Sequence, residues 1–295
     1  TLLASLNNTR GRLEKIPQLI RNFRQAVLTQ AVTGKLTEEW REGKELGDWE
    51  KVNLEQISES IADGDHQAPP VVPEGIPFLV ISNVSKGFFD FENCTRFVSK
   101  EYYNSLAKKR VPHKGDLLYT VTGSYGISLL VDFEKEFCFQ RHIALIRPNR
   151  EFVDPSFLMY FLNSFLVLTQ AHDVATGTAQ KTVPLKGLRN FKIIIPEKEE
   201  QQEIVRRVES LFAKADAIEQ QYETLKQKID ALPQALLAKA FRGELVEQNP
   251  LDEPASELLK RIRAEKEKMT TKGQKRNMKR KSDVAAEPQP KYGKK

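Results

Sequence analysis

Residues 25–36 return at residues 234–245, a shift of 209 places that sets Gly34 over Gly243 and Leu36 over Leu245. Under the same shift Leu2, Leu6, Leu13, Ile16, Ile20, Phe23 and Val27 fall on Leu211, Ala215, Tyr222, Leu225, Ile229, Leu232 and Leu236. Alternating steps of four and three draw a narrow apolar stripe along a helix. That is the pattern of a seam between two helices, not of the broader face a helix turns to a globular core. Each copy therefore needs a helical partner, and two copies in one chain are natural mates; a generic dimerising coiled coil would not explain the same glycine at the same shift. The second helix begins after Pro196, near Glu199, and its stripe also includes Ile204 and Val208. Gly34 and Gly243 follow the last strong turns, where a left-handed cap is expected. The predicted seam joins Leu13, Ile16, Ile20, Phe23 and Val27 to Tyr222, Leu225, Ile229, Leu232 and Leu236. Such pairing brings the ends of the intervening block together and predicts an antiparallel coiled coil with a globular domain at one end. Pro17 and Pro233 each remove a helical hydrogen bond and should bend their helices.

Between the helices the period changes to short β-branched and aromatic runs separated by turn residues. Strands are predicted at 77–82, 116–121, 127–133, 142–147 and 191–195, which reads as a mixed-sheet domain. Residues 154–169 open with Asp154 as N-cap and Pro155 behind it, and read as one buried helix. The polar punctuation is the place for function, since loops on a rigid sheet carry recognition. One loop holds Asp65, His66 and Gln67, a second Thr122, Ser124 and Tyr125, and a third Thr178, Gln180 and Lys181. Glutamine can pair with adenine, lysine with guanine or phosphate, and backbone N–H groups at glycine can approach a phosphate. Lys108, Lys109 and Arg110 form a candidate phosphate-contact patch.

The formal charge is +6, and its distribution matters more than its sum. Residues 260–295 carry fourteen Lys/Arg against four acidic residues, a net +10, which leaves residues 1–259 at −4. A DNA groove would thus be a local patch, not a property of the whole body. The tail predicts a charged helix over 254–269 and a disordered, basic remainder that adds nonspecific DNA affinity.

Chemistry of its own is not indicated. The chain lacks the G-x-x-x-x-G-K-[ST] phosphate loop and the Pro-Pro-aromatic tetrapeptide of amino-methyltransferases. Glu42 and Lys44 have a nuclease-like spacing, yet the first aspartate is Asp48, so no upstream aspartate completes a metal site. His66, His113, His142 and His172 are scattered, and Cys94 and Cys138 form neither a C-x-x-C nor a Cys/His cluster. Catalytic and metal-binding residues are therefore expected to be none. No apolar run suits a membrane span and no signal peptide is apparent, so a cytoplasmic protein is expected.

The arrangement resembles the specificity subunit of type I restriction–modification enzymes. The similarity is carried by an ordered series over about residues 1–250. It starts with Gly47-Asp48-Trp49-Glu50 and Asp63-Gly64-Asp65-His66, continues through Gly75-Ile76-Pro77 and Lys114-Gly115-Asp116, and then reaches Gly123-Ser124-Tyr125-Gly126 and Thr176-Gly177-Thr178-Ala179-Gln180. It ends with Phe191-Lys192-Ile193-Ile194-Ile195-Pro196, Glu200-Gln201-Gln202-Glu203 and Ala238-Lys239-Ala240-Phe241-Arg242-Gly243. The resemblance implies an α+β chain with spacer helices at 1–46 and 199–247, a target-recognition domain at 47–198 and a charged tail at 248–295. It implies double-stranded DNA and methyltransferase subunits as partners, with a restriction subunit in the full complex. S-adenosylmethionine, ATP and magnesium belong to those partners and no cofactor to this chain. The family pairs two recognition domains where this chain has one, so a C-terminal half, a half-subunit or a self-dimer is expected. The alternative is the recognition end of a fused restriction enzyme–methyltransferase with catalytic domains upstream.

Overall fold

The computed structural model describes residues 2–64, 69–245 and 253–284, and the chain divides into two units, Thr1–Gln227 and Lys228–Lys295. In the first unit α1 (Leu2–Leu13) and α2 (Ile16–Val32) are separate helices, with Pro17 in the first turn of α2. A first-turn proline sacrifices no helical hydrogen bond. The expected bend is therefore a break, and Pro17 starts a helix instead of kinking one. Gly34 follows with φ 78°, the left-handed cap that a glycine supplies without strain, and α3 (Glu38–Arg41) comes next.

The block opens and closes with one stem: β1 (Glu50–Asn53) pairs antiparallel with β9 (Lys192–Ile195), Glu50 opposite Ile195. Inside it, β2 (Ser58–Asp63), β8 (Ile143–Pro148), β5 (Leu117–Thr120) and β6 (Ser128–Leu130) form an antiparallel sheet in that order. A smaller sheet joins β3 (Ile76–Leu79) to β4 (Phe97–Val98) antiparallel and to β7 (Cys138–Phe139) parallel. Strand alternation sorts the core. Leu117, Tyr119, Ala144 and Ile146 face one cluster with Phe157 and Phe161, whereas Leu118, Leu129, Ile143 and Leu145 face the other with Leu79, Phe137 and Phe139. The short helices α4 (Lys100–Ser105) and α7 (Leu185–Arg189) fill connections.

Asp154 caps its helix as expected, accepting from the N–H groups of Ser156 and Phe157 at 2.8 and 3.1 Å. The helix is not continuous, however: α5 (Pro155–Leu162) and α6 (Phe165–Val174) are divided at Asn163 and Ser164. Asn163 is committed elsewhere. Its amide oxygen accepts from Ser128 N–H and its amide nitrogen donates to Ser128 C=O, both at 2.9 Å, so that it extends the edge of β6 as a missing strand would.

Helix α8 (Lys198–Phe241) is continuous through Pro233. Within the first unit it runs antiparallel to α2: Arg207 donates to Leu36 C=O at 2.8 Å, while Arg24, twelve residues earlier, reaches Asp216 and Glu219 at 2.5 and 2.8 Å. The seam is half covered. Leu13, Ile20 and Val27 are buried, as are Val208, Ala215 and Tyr222, each series in steps of seven. Ile16 is only partly covered, and Phe23 and Leu225 are exposed although the stripe placed them in the seam. They belong to the alternate heptad position, which two helices alone leave open. Among the second-unit stripe residues Ile229 is buried, Leu236 half-buried and Leu232 exposed. Helix α9 (Ala255–Val284) extends past the expected end at residue 269: no proline follows before Pro288, and the helix runs through Gly273 at a cost of about 1 kcal/mol.

Tyr119 is fully buried at the centre of the main sheet, and its hydroxyl has no hydrogen-bond partner among the described residues. Tyr119→Phe removes an unpaired polar atom and leaves the packing intact, so it should raise stability by about 1 kcal/mol. Urea unfolding would register this as a higher midpoint at unchanged slope; a lower midpoint would show that the hydroxyl is stabilising.

Candidate nucleic-acid interface

All four strands of the main sheet present their loops at one end. There β2 finishes at Asp63, β5 finishes at Thr120, and β6 and β8 begin at Ser128 and Ile143. Gly64 N–H donates to Ile143 C=O at 3.3 Å and Val121 N–H to His142 C=O at 2.9 Å, so the residues leaving β2 and β5 flank the entry to β8. The loop between β5 and β6 is closed by Thr120, whose hydroxyl accepts from Ile127 N–H at 3.0 Å.

The third predicted loop joins the second. Thr122 and Thr176 each form a bridge with Thr182, Gly123 N–H donates to Lys181 C=O at 3.2 Å, and Val183 N–H donates to Val121 C=O at 2.8 Å. Ser124, Thr178, Gln180 and Lys181 project as exposed side chains from this double loop. Thr122 does not: it is buried, and its hydroxyl accepts from Thr182 at 3.2 Å, so it ties the loops together instead of facing outward. Tyr125 is half-buried, with its hydroxyl 2.6 Å from His172 Nδ1. Burial pushes the neighbouring Tyr119 phenol well above its usual range, and Tyr125 adds to the effect.

Lys108, Lys109 and Arg110 make a 3-10 turn beside β2. The two lysines are exposed, whereas Arg110 is half-buried and paired with Asp63 at 3.4 Å, which removes it as a free phosphate contact. Asp65, His66 and Gln67 lie outside the described residues. Sequence reasoning missed the turn Gln140-Arg141-His142, which enters β8 at this same end. Arg141 is exposed, and among the described residues no carboxylate pairs with it. Burial, reinforced by Arg141, lowers the His142 pKa and favours a neutral ring. The signal available was a polar triplet between two strands, without the glycine that marked the other loops.

The opposite end of the sheet is bolted to α8. Gln201 accepts from Asp154 N–H at 2.7 Å and donates to Pro196 C=O and Phe152 C=O at 2.9 and 3.0 Å. Its neighbour Glu200 is completely buried and accepts from Thr37 Oγ1 at 2.6 Å, from Trp49 Nε1 at 3.0 Å and from Arg41. One carboxylate thereby joins the end of α2, the mouth of the β1–β9 stem and the first turn of α8. The candidate loops thus stand at the end of the sheet away from this anchored root.

Among the described residues no three His, Cys, Asp or Glu side chains gather as a metal site, and no described helix is long and apolar enough to cross a membrane. Cys94 and Cys138 are buried free thiols, with Cys138 pushed up to about 12 by burial.

The family model for the type I restriction modification DNA specificity domain matches residues 47–227, from the stem through the paired part of α8. The chain belongs to that family. It is 36% identical over 289 residues to the EcoBI specificity subunit of Escherichia coli, covering 90% of this chain and 60% of the relative. The EcoKI specificity subunit of E. coli strain K12 is also 36% identical, over 284 residues with the same coverages. This family member thus spans about 60% of the length of these relatives. A solved chain from a study of complex assembly in the type I R-M system superposes with a TM-score of 0.58 at 23% identity, covering 83% of this chain and 59% of that one. The likeness shows a shared fold over that part of the chain.

Proposed function

We propose that the chain reads one half of a split DNA target within a type I restriction–modification complex and has no catalytic centre of its own. The observation that carries this reading is the convergence of two joined polar loops, around Ser124 and Gln180, and the Gln140–His142 turn on one end of a sheet whose other end is fixed to the helix pair. Exposed Ser124, Thr178, Gln180 and Arg141 offer hydrogen bonds to base edges, and Lys181, Lys108 and Lys109 offer charge to phosphates. Within the first unit α8 runs from Lys198 to Gln227, 30 residues and about 45 Å at 1.5 Å per residue, more than one turn of DNA. A rod of that reach sets the distance between two half-targets.

The docking partner is a methyltransferase subunit, and S-adenosylmethionine, ATP and magnesium are supplied with the partner subunits. In support, Ile16, Leu19, Ile20 and Phe23 of α2 and Ala215 and Ile218 of α8 line an apolar groove of about 290 Å³, suited to a further helix. A fused restriction enzyme–methyltransferase is the less favoured reading, because the matched relatives are specificity subunits over 90% of this chain.

Replacing Gln180 and Lys181 together with alanine tests the reading. Selection from randomised duplexes should relax at one or two positions by about tenfold, and the slope of log affinity against log salt should fall by about 1 for the lost lysine contact. Unchanged preference and slope would remove this loop from the interface.

A further inference from the structure

His172 lies on the last turns of α6, four residues after Leu168 and so on the same helical face. That face backs the loop carrying Tyr125: a Cβ at Gly126 would come within 2.8 Å of Leu168 Cδ1. The imidazole meets Tyr125 edge to face, with ring centroids 5.4 Å apart, planes at 76° and Nδ1 2.6 Å from the hydroxyl. On its other side the loop is held by the Thr122 and Thr182 bridge and by Gly123 N–H donating to Lys181 C=O. The backbone is therefore fixed independently of the phenol. What His172 controls is the direction of the Tyr125 hydroxyl.

A tyrosine hydroxyl has one proton to donate and lone pairs that accept, and a neutral imidazole has one N–H and one bare nitrogen. His172 is exposed, so solvent can serve an Nε2–H, and in that tautomer Nδ1 is bare and accepts from Tyr125. The phenol proton is then used inside the protein, and what remains for DNA is a lone pair. In the major groove that lone pair is met by the amino groups of adenine and cytosine. The edges of guanine and thymine there present acceptors, which a bare lone pair rejects.

We infer that His172 is a specificity-determining residue: by taking the phenol proton of Tyr125 it makes Tyr125 an acceptor that selects adenine or cytosine at one target position. This rests on the proposed reading of DNA by the loop at residues 122–126. His172 acts through Tyr125 and is a positioning residue.

The test is selection of bound duplexes from a randomised library by the full chain at fixed salt, together with nitrogen-15 NMR of the imidazole in the free protein. Wild type should prefer adenine or cytosine at one position. Tyr125→Phe and His172→Phe, the latter keeping the ring contact, should each lose that preference by about tenfold at that position alone. His172→Gln, whose amide oxygen can take the phenol proton, should retain it, and the NMR should find Nδ1 unprotonated at neutral pH. A His172→Phe variant that keeps every preference, or weakens all positions equally, overturns the inference, as does a proton on Nδ1. A wild-type chain with sequence preference at other positions and none tied to Tyr125 sinks this inference alone; no preference at any position sinks the DNA-reading proposal and this one with it.

Discussion

Replacing Glu200 with alanine should lower stability by about 3 kcal/mol, more than a typical surface substitution by an order of magnitude. The carboxylate is fully buried and satisfies three donors from three segments: Thr37, Arg41 and Trp49. Without it the Trp49 indole N–H and the Thr37 hydroxyl are stranded in the interior, each costing about 1 kcal/mol, and Arg41 loses its counter-charge. Arg41 keeps partial access to solvent, which places the loss at the lower end of the range for breaking a buried pair. Glu200→Gln should do less damage, because its amide oxygen still accepts. Glu199→Ala, one residue away, removes only a surface pair with Lys44 and should cost under about 0.5 kcal/mol. Urea unfolding of the three variants checks the order; equal losses at 199 and 200 would mean that the junction is not where the domain is anchored.

Gly64→Ala is the second large effect, and it separates stability from reading. A Cβ at this position would stand 2.3 Å from Phe139 C=O and 2.5 Å from the Gln140 carbonyl carbon, both backbone atoms that cannot rotate aside. The strain of overpacking here should cost about 3 kcal/mol. Relief can only come by parting β2 from the Gln140–His142 turn, which spreads the end of the sheet where the candidate contacts converge. Sequence preference should therefore broaden at several positions even under conditions where the variant is folded. Retained preference with a stability loss below about 1 kcal/mol would show that the two loops are not held together at Gly64.

The helix pair was legible because a 209-residue shift repeats both stripe and glycine, a coincidence that only tertiary pairing explains economically. What the stripe could not reveal is that one heptad position is covered and the other left open, since that depends on how many helices gather. Asn163 looked like any polar residue inside an apolar helix; its duty is to Ser128, thirty-five residues away, and long-range partners leave no local trace. Neither β2 nor β7 is among the predicted strands: Ser58, Glu59 and Ser60 mask the edge position of β2, and β7 is two residues long. The glycine-bearing loops around Ser124 and Gln180 stood out as candidate contacts, but not their union through Thr182, nor that Thr122 and Arg110 are spent on internal bonds. Gln140 and Arg141 carry no glycine or proline to mark a turn, and His142 falls at the start of the strand predicted at 142–147.

On the proposed function, the β1–β9 stem bears on how a DNA target can change. Because Glu50 and Ile195 face each other across one ladder, everything between them is joined to the rest by two adjacent chain ends. On that proposal, a gene segment encoding a different block that keeps this closing stem and the contacts to Gln201 and α2 would be accepted at the same place, so new recognition would arise by exchange rather than by stepwise repair.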